Sequence, residues 1–491
     1  MPMMATRRLR SDPTRQRLAR RQCVGCLGAA SLAYATACSV GPEVVGFDSH
    51  EGGSAATDSD ASESSSTDAS ATATAAATTV GTAADSDGGV IYDVGAGDSG
   101  DVVDCGCGSE LGFSYIWIAN SEASTVSKIN TMTMVEEGRY VTRADSAGNP
   151  SRTSVSLSGR MAAVANRAGG VAAFWTRTEF CDPNANGVPG LQTSSGPDDV
   201  LPYGTDDCLA WYTDFPGYTT QRPIAWLPGA LDPSTCEYRE ERVWTSGCAY
   251  MTDTDIWAHR LSGDDGSILD TVAVEGFPCD GYGGYGGAVD SHGDFWITNQ
   301  TGSHKLARID GATLETTIWP APVAPYGITV DHLGRPWLTS DSTQNSNLVP
   351  GLVGATSAAV FDPLTETWAL AQNQLAWGQS GLQEDQQGRM WVAYYAYNGD
   401  WPAGGGFTWI DTATLEVGPA IPMKEHDPTF MGKGISVDLA GKVWIVSSSG
   451  NAFRYDPETE QIDSVGGLGY AYTYSDMTGW GLQNAACEPA G

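Results

Sequence analysis

Oxygen-bearing side chains that could bind a cation recur between positions 182 and 207. Asp182, Asn184 and Asn186 stand at positions one, three and five of a run in which Gly187 and the carbonyl of Val188 take positions six and seven, as in an EF-hand-type calcium loop. Threonine replaces the acidic residue of position twelve, so a later carboxylate would have to complete the shell. The candidates are Asp198, Asp199, Asp206 and Asp207. We predict calcium in this segment, with a plain Asn/Gly turn as the alternative.

A second set of residues could transfer protons. Glu425 and His426 form an adjacent Glu–His pair, and His304 is predicted in a loop on the same face of the fold. A carboxylate beside an imidazole suits general acid–base catalysis or metal ligation. We predict these three residues as the catalytic candidates of an enzyme, and an exposed charged loop is the alternative.

Tyrosine and asparagine residues recur in the loops predicted on that same face. Aromatic rings stack on flat ligands, while amides orient polar groups. The pattern predicts a mouth that binds an unknown small molecule, glycan or protein. Its predicted ligand-binding residues are Asn299, Tyr282, Tyr285, Tyr326, Tyr394, Tyr395 and Asp476.

The elements that must position these residues come from two interleaved repeats. One reads Asp-x-x-Gly-x-x-Trp and occurs at 290–296, 331–337, 385–391 and 438–444. The other reads apolar-Asp-x-x-Thr and follows each tryptophan. In both, an Asp caps a turn, and in the first a Gly supplies a positive φ. Each unit is therefore a four-stranded antiparallel meander, and its length is typical of a β-propeller blade.

The repeats predict an all-β, seven-bladed β-propeller, with six or eight blades as alternatives. The predicted second strands of the seven blades lie near Trp117, Met161, Trp244, Trp296, Trp337, Trp391 and Trp444. The first blade lacks an inner strand, and residues 479–485 resemble the inner strand around residues 379–385. We therefore predict that the C-terminal strand closes the ring.

Closure of the ring would bring the last cysteine near the first part of the propeller. The sequence predicts a disulfide between Cys487 and Cys105 or Cys107, and local disulfides Cys181–Cys208 and Cys236–Cys248. Three of the 11 cysteines lie in the predicted signal region, and the even number of eight that remain in an exported chain favours such pairing.

The extended repeat, Gly-Ile-x-Val-Asp-x-x-Gly-x-x-Trp, resembles the propellers of the virginiamycin B lyase (streptogramin lyase) and NHL-like group. The resemblance covers about residues 112–485 and is strongest over 282–465. It implies a propeller fold and, for the lyases, a magnesium ion with nearby His and Glu residues. Magnesium is thus expected only for a lyase-like enzyme. The lyases carry a Glu-x-His spacing, whereas Glu425 and His426 are adjacent.

The N-terminal part has the composition of a signal peptide followed by a tether. Seven of the 26 basic residues lie within residues 1–37, before an apolar stretch, which is typical of a signal peptide. The stretch ends Ala35-Thr36-Ala37-Cys38, so Cys38 is the predicted lipidation site, with simple cleavage after Ala37 as the alternative. Residues 38–104 form a predicted disordered acidic Ser/Thr/Ala-rich tether. Residues 105–491 form the propeller, with a blade-two insert at about 181–210.

Composition narrows the class of protein. A net charge of −33 disfavours nucleic acid and leaves the N-terminal lipid as the sole predicted membrane contact. We predict a lipid-anchored binding or recognition module, exported to the bacterial outer membrane or cell surface. The alternatives are a metal-dependent lyase or a hydrolase, and a structural surface protein without a small ligand.

Overall fold

The computed structural model describes residues 114–250, 252, 254–340, 358–371, 378–395 and 405–487. Within these residues, seven antiparallel sheets follow one another along the chain, six of them with four strands and the first with three. The innermost strands of successive sheets contact one another. The fold is therefore the predicted seven-bladed β-propeller.

The first three blades differ most from a regular meander, and the longest connection, between β6 and β7, lies in blade 2. Blade 1 consists of β1 (Tyr115–Asn120), β2 (Thr125–Asn130) and β3 (Val135–Val141). Blade 2 consists of β4 (Pro150–Val155), β5 (Met161–Asn166), β6 (Val171–Trp175) and β7 (Leu209–Thr213), with a short 3-10 helix at Thr178–Phe180 before β7. Blade 3 begins with β8 (Ile224–Leu227); a side hairpin follows, formed by β9 (Ala230–Asp232) and β10 (Glu237–Arg239). Blade 3 is completed by β11 (Arg242–Gly247), β12 (Asp255–Ser262) and β13 (Ile268–Pro278).

The last four blades are regular meanders of four strands each. Blade 4 consists of β14 (Gly286–Val289), β15 (Phe295–Thr298), β16 (Lys305–Ile309) and β17 (Thr316–Pro320). Blade 5 consists of β18 (Pro325–Val330), β19 (Pro336–Ser340), β20 (Ala359–Asp362) and β21 (Thr367–Leu370). Blade 6 consists of β22 (Gln379–Glu384), β23 (Arg389–Tyr394), β24 (Gly406–Asp411) and β25 (Ile421–Pro422). Blade 7 consists of β26 (Gly432–Val437), β27 (Val443–Ser447), β28 (Asn451–Tyr455) and β29 (Ile462–Val465), and the helix α1 (Trp480–Ala486) follows.

The Asp-x-x-Gly-x-x-Trp repeat forms the same turn in each of its four copies. In blade 6, Oδ1 of Asp385 accepts hydrogen bonds from the backbone N–H groups of Gln387 and Arg389, and Oδ2 accepts one from the indole of Trp391 at 2.7 Å. Gly388 has a φ of +70°, which only glycine adopts without strain. The same indole-to-carboxylate bond joins Trp296 to Asp290, Trp337 to Asp331 and Trp444 to Asp438. The aspartate thus fixes both the turn and the buried tryptophan of the next strand.

The ring closes through residues 470–477, which run beside β1. The backbone N–H of Ser121 donates to the carbonyl of Tyr470 at 3.0 Å, and that of Trp117 donates to the carbonyl of Met477 at 2.9 Å. The C-terminal segment therefore occupies the inner position of blade 1, which the three strands β1–β3 leave unfilled.

The same segment also contacts the two blades on either side. Ser475 and Thr153 of blade 2 exchange hydrogen bonds, Ser475 through its hydroxyl and Thr153 through its backbone. The backbone N–H of Met477 donates to the hydroxyl of Ser436 in blade 7 at 3.2 Å. Blade 1 is thus held between blades 7 and 2 by the end of the chain.

The register predicted for the closing segment was wrong. Residues 479–485 do not form the inner strand, because α1 (Trp480–Ala486) takes up most of them. Trp480, Leu482 and Ala485 are buried, each in a different apolar cluster. The carboxylate of Glu384 on β22 accepts hydrogen bonds from Asn484 and from His332, both at 2.8 Å. The helix is therefore tied to blades 5 and 6.

The disulfides confirm one predicted pair and correct another. Cys181 and Cys208 are bonded, as predicted, and staple the segment between β6 and β7. Cys248 pairs with Cys279 rather than with Cys236, because the loops at the ends of β11 and β13 lie side by side. Cys236 and Cys487 each take part in a further disulfide. The predicted partners of Cys487, Cys105 and Cys107, lie outside the described residues.

Disulfides place the domain outside the cytoplasm, where thiols are not kept reduced. Among the described residues, no helix has the length and apolar character needed to cross a membrane.

Candidate functional site

The three predicted catalytic residues lie on the predicted loops. Glu425 and His426 occupy the turn between β25 and β26 and are exposed, and His304 lies between β15 and β16 with a φ of +44°. Neither the Glu425 nor the His426 side chain makes a hydrogen bond or ion pair to another described residue. No cluster of three His, Cys, Asp or Glu side chains fit for a metal occurs in the described part of the chain. The catalytic assignment stays a prediction.

The predicted calcium segment is folded by its own hydrogen bonds. Oδ1 of Asn186 accepts the N–H of Val188 at 2.7 Å, and its amide donates to the carbonyl of Thr205 at 2.9 Å. Asp182 accepts the backbone N–H of Asn184 at 3.0 Å. Oδ2 of Asp199 accepts the hydroxyl of Ser195 at 2.9 Å, while Asp198 is exposed. The calcium assignment stays a prediction.

Asp207 and Asp206 bind this segment to the start of β7. Oδ1 of Asp207 accepts the backbone N–H of Asn186 at 2.9 Å, and Oδ2 accepts that of Gln192 at 2.7 Å. Asp206 accepts hydrogen bonds from the Thr193 hydroxyl and the Ser194 N–H. These carboxylates thus work as acceptors for the backbone of the insert.

Two of the predicted ligand-binding residues have structural partners. Asn299 is fully buried, and its amide donates to Ser303 and the carbonyl of Thr301 in its own loop and to Asp280 in the loop before β14. Asp476 accepts the backbone N–H groups of Gly481 and Leu482 at the start of α1. Burial raises the pKa of Asp476 even though these hydrogen bonds oppose the shift.

Most of the predicted tyrosines meet at one end of the channel. The ring centroids of Tyr285 and Tyr326 are 5.3 Å apart, and that of Tyr474 lies 4.8 Å from Tyr326. Tyr282 packs at 5.7 Å from Tyr285, and Tyr395 at 6.5 Å from Tyr326. Tyr394, the residue before Tyr395, is buried at the end of β23. We call the cluster formed by Tyr282, Tyr285, Tyr326, Tyr395, Tyr472 and Tyr474 the tyrosine mouth.

Four cationic side chains lie among these rings. Arg152 of β4 lies 3.2 Å above the ring of Tyr474, and Arg222, just before β8, lies 4.5 Å from that of Tyr282. The others are Arg167, at 4.6 Å from the Tyr472 ring, and Lys433 of β26, at 4.0 Å from the Tyr395 ring. All seven blades supply a residue to this arrangement, since each inner strand begins and each second strand ends at this end of the channel.

Tyr472 is the hub of the hydrogen bonds in the mouth. Its hydroxyl shares one hydrogen bond with the hydroxyl of Tyr285, at 2.9 Å, and another with that of Tyr326. Burial would raise the pKa of Tyr472, but the positive charge of Lys433 and these two hydrogen bonds outweigh it and lower the pKa to about 8. Burial raises the pKa of Tyr285, Tyr326 and Tyr474. Of these four tyrosines, Tyr472 is thus the one whose hydroxyl ionises most readily.

A cavity of about 520 Å³ opens beside Tyr472. It lies between blades 1, 2 and 3, and both arginines that face it are among the four cations of the mouth. Its walls are formed by Ser121, Glu122, Ser124, Ser146, Ala147, Asn149, Arg167, Arg222, Tyr470 and Tyr472. A volume of this size suits a small organic ligand.

Sequence reasoning missed the four cations. The chain has 26 basic residues against 59 acidic ones, so basic side chains are scarce. Of the four, Arg152, Arg222 and Lys433 each stand near the start of an inner strand or shortly before one. That position was the available signal, because inner strands begin at the face where the predicted tyrosines lie.

Comparison with known proteins yields low similarity. No family model and no curated protein sequence matches the chain. Among solved structures, apo AztD from Citrobacter koseri is 12% identical with a TM-score of 0.41, covering 74% of this chain and 96% of that chain. BamB from Moraxella catarrhalis is 12% identical with a TM-score of 0.37, covering 74% and 86%. The dihydro-heme d1 dehydrogenase NirN in complex with DHE is 11% identical with a TM-score of 0.45, covering 75% and 76%. Similarities this low do not indicate a ligand or an activity for this chain.

The fold and the site together define an extracytoplasmic seven-bladed β-propeller whose channel mouth is lined by tyrosines and cations. The specific resemblance to virginiamycin B lyase stays a prediction from the repeat.

Proposed function

We propose that this protein is an exported, lipid-anchored propeller that binds a small molecule or glycan at the tyrosine mouth. The observation that carries the proposal is the cavity beside Tyr470 and Tyr472, whose rings stack 5.8 Å apart. Tyr470 is 38% exposed, so one ring is open to a ligand. Hydroxyl and amide groups of Ser121 and Asn149 supply hydrogen-bonding partners in the same wall. Rings and amides together suit a polar ligand with a flat or sugar-like body.

Saturation-transfer NMR with a panel of soluble glycans and small aromatic molecules tests binding. We expect signals from at least one panel compound with the wild-type protein and their loss in Tyr470→Ala. Trp257→Ala is the matched control, because Trp257 is also exposed, at 44%, but lies on β12 outside the cavity. Signals that persist in Tyr470→Ala, or a panel without any binder, would contradict the proposal.

The anchor is tested separately from the binding. The Ala35-Thr36-Ala37-Cys38 run supports acylation at Cys38. In a bacterial host, radioactive palmitate should label the wild-type protein and Cys26→Ser but not Cys38→Ser. Equal labelling of Cys38→Ser would contradict lipid anchoring at that residue, and the binding proposal would be unaffected.

A further inference from the structure

The mouth concentrates positive charge in a chain whose net charge is −33. Arg152, Arg167 and Arg222 converge there, and none of the three forms an ion pair with another described residue. Elsewhere in the described part, arginines such as Arg335 and Arg389 pair with aspartates at 2.7 Å. Arg152 and Arg222 are buried and Arg167 is half-buried. Buried charges are ordinarily paired, so a group of three without a carboxylate partner among the described residues is unusual.

Arg222 has the least support of the three. Arg222 is only 8% exposed, and its Nε is buried without a hydrogen-bond partner. Its guanidinium donates no hydrogen bond to any described residue and contacts the faces of Tyr282 and Tyr285 at 4.5 and 4.9 Å. A guanidinium carries five N–H donors, and leaving them unused in a buried site costs free energy. The side chain lines the cavity, where an acceptor can be supplied.

Arg167 is held in place at the other side of the same cavity. Its Nη1 donates to the hydroxyl of Ser121 at 3.0 Å and to the side-chain oxygen of Asn149. Burial, followed by the positive charges of Arg222 and Arg152, lowers its pKa to about 10. The arginines therefore repel one another, and a negative charge between them would relieve that repulsion.

We propose that the cavity binds a small organic anion whose carboxylate or phosphate group lies against Arg222 and Arg167. Its ring or other flat body stacks on Tyr470 and Tyr472. The planar guanidinium fork matches the two oxygens of a carboxylate or phosphate. Glu122 is the single carboxylate in the cavity wall, and it is exposed. This inference rests on the proposed binding function and names its ligand class.

Calorimetric titration with benzoate, its neutral counterpart benzamide, and inorganic phosphate tests the charge requirement. We expect the wild-type protein to bind benzoate more tightly than benzamide, and Arg222→Gln to weaken benzoate at least about tenfold. Arg242→Gln is the matched control, since Arg242 is in the same blade but has an exposed ion pair with Glu240. Phosphate binding without benzoate binding would assign the site to a phosphate group, which also supports the proposal.

Thermal unfolding without added anion separates a binding role from a structural one. Arg222 makes no hydrogen bond or ion pair to a described residue, so Arg222→Gln should unfold at the same temperature as the wild-type protein or at a higher one. A clear drop in the unfolding temperature would instead assign Arg222 a structural role and overturn the proposal.

Equal affinity of wild type and Arg222→Gln for benzoate would also overturn it, as would no binding of either anion. If neutral ligands still give Tyr470-dependent NMR signals in that case, the anion inference fails while the proposed function stands. If they give none, both fail.

Discussion

The hydroxyl oxygens of Tyr285 and Tyr472 lie 2.9 Å apart, although 187 positions separate the two residues in the chain. The contact exists because the C-terminal segment completes blade 1 and thereby brings Tyr472 across the channel from blade 4. Tyr326 adds a second hydrogen bond to the same oxygen. Closure of the ring and assembly of the mouth are therefore one event.

The first prediction concerns ionisation of Tyr472. Its pKa of about 8 lies below the ordinary value for tyrosine of about 10, so one tyrosinate should appear near pH 8 in ultraviolet difference spectra. Tyr472→Phe should remove this step, and Tyr203→Phe, in the blade-two insert, should keep it. A first tyrosinate step only near pH 10 in the wild-type protein would contradict the prediction.

The same shift predicts a stability change with a defined sign. Because the folded-state pKa lies below the unfolded-state value, ionised Tyr472 contributes stability above about pH 10, and this contribution is lost as the pH falls through about 8. The free energy of unfolding of the wild-type protein, relative to Tyr472→Phe, should therefore rise between about pH 8 and 10. Denaturant unfolding at several pH values measures it.

The second prediction concerns His259, which is 6% exposed. Its Nε2 lies 2.8 Å from the hydroxyl of Tyr218 and its Nδ1 lies 3.0 Å from that of Thr271. Burial lowers the pKa of His259 to about 4, below the unfolded value of about 6.5, so stability should fall as the pH drops from about 6.5 towards 4. We expect a loss of roughly 2–3 kcal/mol at about pH 4.5 that is absent in His259→Gln.

Urea unfolding at about pH 7 and 4.5 measures this difference. The control is His292→Gln, because the His292 side chain is 84% exposed and should leave the acid-induced loss unchanged. An equal acid-induced loss in wild type and His259→Gln would refute the assignment.

The third prediction concerns the repeated turn. Asp385→Ala removes the acceptor of the Trp391 indole and of two backbone N–H groups, and it leaves Arg389 without its carboxylate. Because the indole would stay buried and unpaired and the turn would lose its acceptor, we expect a loss of about 2–4 kcal/mol in denaturant unfolding. Asp362→Ala, in the exposed second type of turn, should cost clearly less. Similar losses at both positions would contradict the special role of the first turn.

The fourth prediction concerns α1. Trp480 is 6% exposed, packs in the apolar cluster of blades 6 and 7, and donates its indole N–H to the carbonyl of Glu384 at 2.8 Å. Trp480→Ala should lower the free energy of unfolding by about 3–5 kcal/mol, the usual range for a buried tryptophan. The exposed Trp257 offers a matched control, and its replacement by Ala should cost far less. A loss at Trp480 no larger than that at Trp257 would show that the helix adds little to the core.

The propeller could be predicted because its turns are specified locally. An Asp and a Trp six positions apart contact each other directly within one hairpin, so the pattern carries its own geometry. The exact closing segment could not be derived in the same way. Residues 479–485 resemble an inner strand in composition, but the alternation of Tyr470, Tyr472 and Tyr474 is the period-two signal of the segment that takes this position.

The candidate site was predictable only in part. Tyr285 and Tyr326 precede or begin inner strands, and this placed them at the mouth. The meeting of Arg152, Arg167 and Arg222 depends on how blades 2 and 3 pack on the C-terminal segment, which no local pattern encodes. Cys248 and Cys279 illustrate the same limit, since their pairing follows from the packing of two loops.

The inner position of blade 1 is filled by residues 470–477. In a chain that is synthesised from its N-terminus, β1 therefore emerges about 350 positions before the segment that covers its edge. Until then, the unsatisfied backbone groups of β1 would be open to pairing with another chain. Residues 470–477 thus protect the first sheet, because β1 stays uncovered until this segment has been delivered.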